Sequence, residues 1–150
     1  MHMDQGDNFY TMKGYERKEE DSGRLTTSME DYLEMIYRIA LDGNPVHVGD
    51  LSRRLHVRPS SATKMMQQLG EGGYIQSEKY GMIFLTEKGC TEGRYLLDRH
   101  RIIHSFLCAL NHTDNELEQA EKIEHFLNRQ TVENLRKLTE RLESDFTEQP

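Results

Sequence analysis

The stretch from Val48 to Leu85 constrains this chain most, because two short helices, a tight turn and a hairpin must follow one another within it. Leu51, Leu55, Val57, Ala62, Met65 and Leu69 recur at spacings that give apolar faces to a helix around Val48 to Leu55 and to a second from Pro59 or Ser60 to about Leu69. Those faces can close on each other. Pro59 suits a first helical turn, where its fixed φ matches the helix and its missing N–H would have had no partner. The connection through His56, Val57 and Arg58 is short, so the pattern is a helix-turn-helix. Gly70 to Gly73 then break the second helix, and Tyr74 to Glu78 and Met82 to Leu85 flank Lys79-Tyr80-Gly81 as a two-stranded hairpin. Together these elements predict a winged helix.

In such a unit the second helix enters a major groove of DNA. Starting at Pro59, its first turns offer Ser60, Ser61, Thr63, Lys64 and Gln67, hydroxyls and an amide for base edges and phosphate oxygens plus a cation for the backbone. Arg58 and Lys79 stand where they can grip phosphates, Lys79 from the wing. Taken singly, each is an ordinary solvated residue; the ordered succession of elements turns the balance toward DNA. The net charge of −7 argues against this only until it is divided along the chain. Residues 1 to 23 hold 3 Lys/Arg against 6 Asp/Glu and residues 91 to 150 hold 8 against 12, whereas His47 to Lys88 holds 6 against 4. Local charge decides contact with phosphate.

The remainder reads as mainly α. Residues 1–23 are polar and acidic without sustained periodicity, which predicts a disordered extension. Order is expected from Thr26 to Ser28, where hydroxyls can cap a helix carrying Met29, Tyr32, Leu33, Ile36, Tyr37 and Ala40. Thr86 can cap a long helix to about Leu110, interrupted early by Gly89 and Gly93. Thr113 and Glu116 form a capping-box pattern for the next, with Leu117, Ala120, Ile123 and Leu127 as its buried stripe. A last helix from Thr131 is expected to bury Val132, Leu135, Leu138 and Leu142. The domains are then 24–89, a winged-helix DNA-binding domain, and 90–150, an all-helical one. Cys90 and Cys108 fall on one predicted helix, too far apart to pair, which fits free thiols used for packing. No apolar run is long enough to span a membrane and the N-terminus lacks a signal-peptide core, so a cytoplasmic protein without membrane contact is expected.

Three separated stretches present metal-type side chains at helical spacing: Asp31 and Glu34, then His100, then Glu121, Glu124 and His125. Four carboxylates and two imidazoles, with no thiolate, suit Mn²⁺ or Fe²⁺. Each residue also has a plain structural reading. Asp31 can complement a helix dipole, Glu121 and Glu124 can form a charged face, and His100 can be an interior histidine on a carbonyl. Those readings do not explain why Glu121, Glu124 and His125 gather beside an apolar stripe. Four clustered carboxylates carry a formal charge that two divalent ions would cancel, and six ligands around two ions imply bridging.

The segments TTSMEDYLEMIYRI, VRPSSATKMMQQL with a wing ending in FLTEKG, RHRIIHSFL and EKIEHFL resemble the DtxR/MntR family of metal-dependent repressors, most closely its manganese-responsive branch, over roughly residues 26 to 143. The resemblance implies a winged-helix domain, a helical dimerisation domain and a binuclear metal site between them. The family's ligand positions match Asp31, Glu34, His100, Glu121, Glu124 and His125. Where the iron-responsive branch uses methionine and cysteine, this chain has Asp31 and Glu124, exchanging soft sulfur for hard oxygen.

What this implies is a homodimeric, Mn²⁺-activated repressor of manganese-uptake genes. It would bind a palindromic double-stranded DNA operator, hold two ions per subunit and act on no small organic substrate. Fe²⁺, Co²⁺, Cd²⁺ or Zn²⁺ can substitute at the same ligands. The alternatives are an iron-responsive repressor of the same family, a winged-helix regulator sensing something other than metal, and a dimetal-carboxylate enzyme. The last predicts paired Glu-x-x-His motifs on separate helices, which this chain lacks.

Overall fold

The computed structural model describes residues 11–21 and 24–147. Helix α1 spans Met12–Asp21, α2 Thr27–Leu41, α3 Val48–Arg54, α4 Pro59–Glu71, α5 Glu87–Asn111, α6 Leu117–Ile123 and α7 Arg129–Thr147. Three short strands, β1 Val46–His47, β2 Ile75–Ser77 and β3 Met82–Leu85, form an antiparallel sheet in the order β1-β3-β2.

The helix starts follow the capping chemistry expected of them. Thr26 accepts a hydrogen bond from the Met29 N–H at 3.2 Å, and Pro59 opens α4. The Thr86 hydroxyl accepts from the Gly89 N–H at 3.1 Å and donates to the Gly73 carbonyl at 2.6 Å, so one side chain both starts α5 and fastens it to the root of the wing. Gly89 and Gly93, weak points of a helix on propensity alone, are places of close approach. A Cβ on Gly89 would lie 1.9 Å from the Tyr74 carbonyl oxygen, and one on Gly93 would lie 2.7 Å from the Tyr37 Cβ.

Two apolar cores result. Leu33, Ile36, Leu51, Ala62, Leu69, Ile75, Ile83 and Leu96 close the winged-helix unit, so the first half of α5 belongs to that core. Ile103, Leu107 and Ala120, with Ile123, Leu127 and Leu135 against them, form the second. Helix α5 runs through both cores, and α2 packs on α3, α4 and α5 together, so these two helices join the halves.

Several expectations need correcting. A helix covers Met12–Asp21, inside the segment read as a disordered extension; residues 1–10 and 22–23 lie outside the described residues. It is opened by the Thr11 hydroxyl, which accepts from the Gly14 N–H, and it leaves Met12 and Tyr15 exposed, so it lacks the apolar stripe by which a helix is recognised. Strand β1 was not anticipated: two residues have no periodicity, and they are extended because they pair with β3. Helix α6 starts at Leu117, later than the capping-box pattern suggests. The Thr113 hydroxyl donates to Glu116 Oε1 at 2.8 Å, and Asn115 Oδ1 receives the Leu117 N–H at 3.1 Å instead. Leu117 is consequently half exposed. Helix α7 starts at Arg129, two residues before Thr131, and meets α5 along Val132, Leu135 and Thr139, which turns Leu138 to solvent. Cys90 and Cys108 are both free on α5, but Cys90 is exposed and belongs to neither apolar core.

Candidate metal centre and nucleic-acid interface

All six candidate ligands come together where α2 faces the middle of α5 and the end of α6. Asp31 and Glu34 project from one face of α2, His100 from α5 and Glu121 from α6. Glu124 and His125 lie just past α6, in a 3₁₀ turn over Glu124–Phe126. That break is what lets consecutive residues reach two different partners.

Ligand atoms of Asp31, Glu121, Glu124 and His125 all lie within 4.8 Å of one another, as do those of Glu34, His100 and Glu124. Glu124 belongs to both groups and is completely buried. Its Oε2 receives His100 Nδ1 at 2.7 Å, while its Oε1 has no hydrogen-bond partner among the described residues. A buried carboxylate oxygen without a partner is costly and rare in a protein that contains nothing more. The fit to a divalent cation rests on that orphaned oxygen and on Asp31, Glu34 and Glu121, whose carboxylate oxygens lie within 4.8 Å of a Glu124 oxygen.

Protonation tells the same story. Burial, with the charges of Glu124 and Asp31, pushes the Glu121 carboxyl up to about 7. Glu34 is likewise raised, by burial first and then by Glu124, against the opposing pull of Arg38, whose Nε donates to Glu34 Oε2 at 2.9 Å. His100 is raised by its hydrogen bond to Glu124 in spite of burial. For His125 burial lowers the value, but hydrogen bonds to Asp31 and Glu30 and their charges outweigh it and carry the ring to about 10. Protons thus take the place of positive charge that the cluster demands.

Sequence reasoning missed the residues behind the ligands. Glu30 Oε1 lies 3.1 Å from His125 Nδ1, and Glu30 Oε2 accepts from Arg99 Nη1 at 3.0 Å. Arg99 is buried and its Nη2 also stands 3.3 Å from His125 Nδ1. The available signal was adjacency: Glu30 precedes Asp31, and Arg99 precedes His100.

The candidate DNA-contacting residues form a second, separate surface. Ala62, Met66 and Leu69 turn α4 inward, leaving Ser60, Thr63, Lys64 and Gln67 on the opposite, exposed face with Ser61 beside it. Arg58 and Pro59 are exposed at the start of the helix, and Lys79 is exposed at the wing tip, next to an almost fully exposed Tyr80. Thr63 spends its hydroxyl proton on the Pro59 carbonyl at 3.0 Å, which leaves its oxygen as an acceptor. His56, with φ 53, makes the sharp turn between α3 and α4.

Known proteins similar to this chain are regulators with the same two-part organisation. The profile of the iron dependent repressor N-terminal DNA binding domain matches residues 24–83, and that of the iron dependent repressor metal binding and dimerisation domain matches residues 86–150. The HTH-type transcriptional regulator MntR of Listeria welshimeri is 38% identical over 111 residues, 73% of this chain and 78% of its own. MntR of Bacillus velezensis is 36% identical over 121 residues, 80% of this chain and 85% of its own. Among solved structures, that of the manganese regulator SloR superposes with a TM-score of 0.65 at 29% identity, covering 73% of this chain. The match takes in about half of that longer chain, 52%.

Proposed function

Because this chain belongs to the iron-dependent repressor family, whose members are metal-dependent DNA-binding transcriptional regulators and not enzymes, we propose that it is a homodimeric repressor activated by Mn²⁺. It would bind a palindromic operator upstream of manganese-uptake genes, in the cytoplasm. The observation that carries the reading is Glu124, a wholly buried carboxylate common to two groups of ligand atoms and left with one unpartnered oxygen.

The proposed ligands are Asp31, Glu34, His100, Glu121, Glu124 and His125, holding two ions per subunit. Bound there, divalent ions supply the positive charge that lets the carboxylates sit together unprotonated. Asp31 and Glu34 belong to α2, which packs in the winged-helix core, whereas His100, Glu121, Glu124 and His125 belong to the helical half. A set of ligands drawn from both halves holds α2, and with it α4, in one orientation. In a dimer that orientation decides whether two copies of α4 meet successive major grooves, roughly 34 Å apart on B-DNA. Proposed DNA contacts are Arg58, Pro59, Ser60, Ser61, Thr63, Lys64 and Gln67 from α4 and its approach, and Lys79 from the wing. We place the division between DNA-binding and metal-binding halves at 89/90, close to where the first matching profile ends and the second begins, although the apolar core of the first half continues along α5 to Leu96.

Manganese is preferred over iron for two reasons. Asp31 and Glu124 give the site oxygen where sulfur would favour softer ions, and the relatives bear the names MntR and manganese regulator. Fe²⁺, Co²⁺, Cd²⁺ and Zn²⁺ are expected to occupy the same ligands, because intrinsic affinity and cellular selectivity are different quantities. Two experiments test this. Metal analysis under excess Mn²⁺ should saturate at two ions per chain, and saturation at one would contradict the binuclear centre. Selection of genomic fragments by the Mn²⁺-loaded protein should recover a palindrome near manganese-transport genes, and recovery of unrelated sequences would contradict the proposed role.

A further inference from the structure

The side of His125 turned away from the other candidate ligands carries a conflict. Its Nδ1 lies 3.1 Å from Glu30 Oε1 and 3.3 Å from Arg99 Nη2, while Nε2 faces Asp31 Oδ1 at 3.0 Å. An imidazole nitrogen carries either a hydrogen or a lone pair, so Nδ1 can donate to Glu30 or accept from Arg99, but not both. Which neighbour wins fixes the opposite nitrogen. With Nδ1–H on Glu30, the neutral ring has its lone pair at Nε2, directed at Asp31, Glu121 and Glu124. With Nδ1 accepting from Arg99, the ring's one proton sits on Nε2 and blocks ligation there.

Glu30 is well held for this task. Arg99 Nη1 donates to its Oε2 at 3.0 Å, and the arginine side chain is 4% exposed. Among the described residues Arg99 Nε has no hydrogen-bond partner, and the polar contacts of this buried guanidinium are those with Glu30 and His125. One carboxylate thereby supplies two acceptors, one for Arg99 and one for the ring.

We infer that Glu30 is a positioning residue of the metal centre that selects the ligating tautomer of His125, and that Arg99 both anchors Glu30 and, when Glu30 cannot accept twice, drives the ring to the other tautomer. This rests on the metal-centre reading above. Glu30 is on α2 and Arg99 on α5, so a simple ion pair between the two halves of the chain is the competing account. The isosteric Glu30→Gln separates them. Glutamine has a single acceptor oxygen; with that oxygen turned to Arg99, its NH₂ meets Nδ1 and favours the wrong tautomer. Removing the arginine as well, in Glu30→Gln/Arg99→Met, frees the oxygen for the ring.

The test is Mn²⁺ affinity by calorimetry for the parent, the single Glu30→Gln variant and the double variant, with ¹⁵N NMR of histidine-labelled, ¹¹³Cd²⁺-loaded protein. Glu30→Gln should bind Mn²⁺ about 10–100-fold more weakly, the range typical of a lost outer partner, and the double variant should regain most of that. In the parent, His125 should show cadmium coupling at Nε2 and a hydrogen on Nδ1. Glu30→Gln binding like the parent, or a double variant no tighter than Glu30→Gln, would overturn the inference. Because Arg99→Met also removes an unpaired buried charge beside the ions, the ¹⁵N spectra must in addition show His125 with its hydrogen on Nε2 in metal-free Glu30→Gln and back on Nδ1 in the double variant, and an unmoved hydrogen would overturn the inference as well. Cadmium on Nδ1 in the parent would overturn it with no substitution at all. A parent that takes up neither Mn²⁺ nor Cd²⁺ would remove the metal centre itself, and the inference with it.

Discussion

The metal centre and the outer face of α4 are both polar, yet they solve opposite problems. On α4, Ser60, Lys64 and Gln67 stand in water, and whatever desolvation they undergo is deferred until a partner arrives. At the metal centre the desolvation is built in: Glu34, His100 and Glu124 are buried, like charges face each other, and protons rise on Glu121 and His125 to hold the cluster together. A buried group of acids is a demand for a cation, whereas an exposed lysine on a helix is commonplace. The metal assignment can therefore be argued from the gathering of these side chains itself. The DNA assignment draws its strength from the order of elements around them.

Substitution at Glu124 should show the largest contrast. Glu124→Gln keeps the shape but removes the charge shared by both ligand groups, so Mn²⁺ affinity should fall by more than the roughly 100-fold upper range for an outer partner. Retention of two tightly bound ions in that variant would erase the distinction between the two regions. Acidity comes next. Ligation by His125 Nε2 displaces a proton held up to about pH 10, and ligation by Glu121 displaces one held up to about pH 7. Affinity should accordingly rise by about tenfold per pH unit above 7 and more steeply below it. Calorimetry from pH 6 to 8.5 checks this, and a flat profile would show that the metal-free cluster is not protonated as described.

On the other surface, Lys64→Ala and Arg58→Ala should each weaken operator binding severalfold and lower the slope of log affinity against log salt by about one, with Mn²⁺ uptake untouched. Parent-like binding at several salt concentrations would mean that a different face meets DNA. The smallest effect is expected in metal preference. Asp31→Met exchanges an anionic oxygen for a thioether, and the ratio of Mn²⁺ to anaerobic Fe²⁺ activation midpoints should move toward iron by about tenfold or less. An unchanged ratio would leave Glu124 to set the preference.

What could be read from the sequence follows the range of the forces involved. Thr26, Pro59 and Thr86 announce helix starts because capping acts within three residues, and Asp31 with Glu34, and Glu121 with Glu124 and His125, stand out as candidate ligands because they recur at helical spacing, whereas His100 stands alone on α5. Strand β1 was not legible, since Val46 and His47 are extended only through pairing with β3. Glu30 was visible merely as a charge near a helix start; its role depends on Arg99, 69 positions away. The 3₁₀ turn that separates Glu124 from α6 was also hidden, because three residues at helical spacing look alike in either geometry.

The central claim is that a metal ion held by buried acids controls an exposed DNA-binding face. The most direct measurement is operator binding by the purified, chelator-treated protein, titrated with and without Mn²⁺ at fixed salt. The account predicts specific, saturable binding with Mn²⁺ and only weak, salt-sensitive binding without it. Equal affinity for the operator in the two conditions would contradict it.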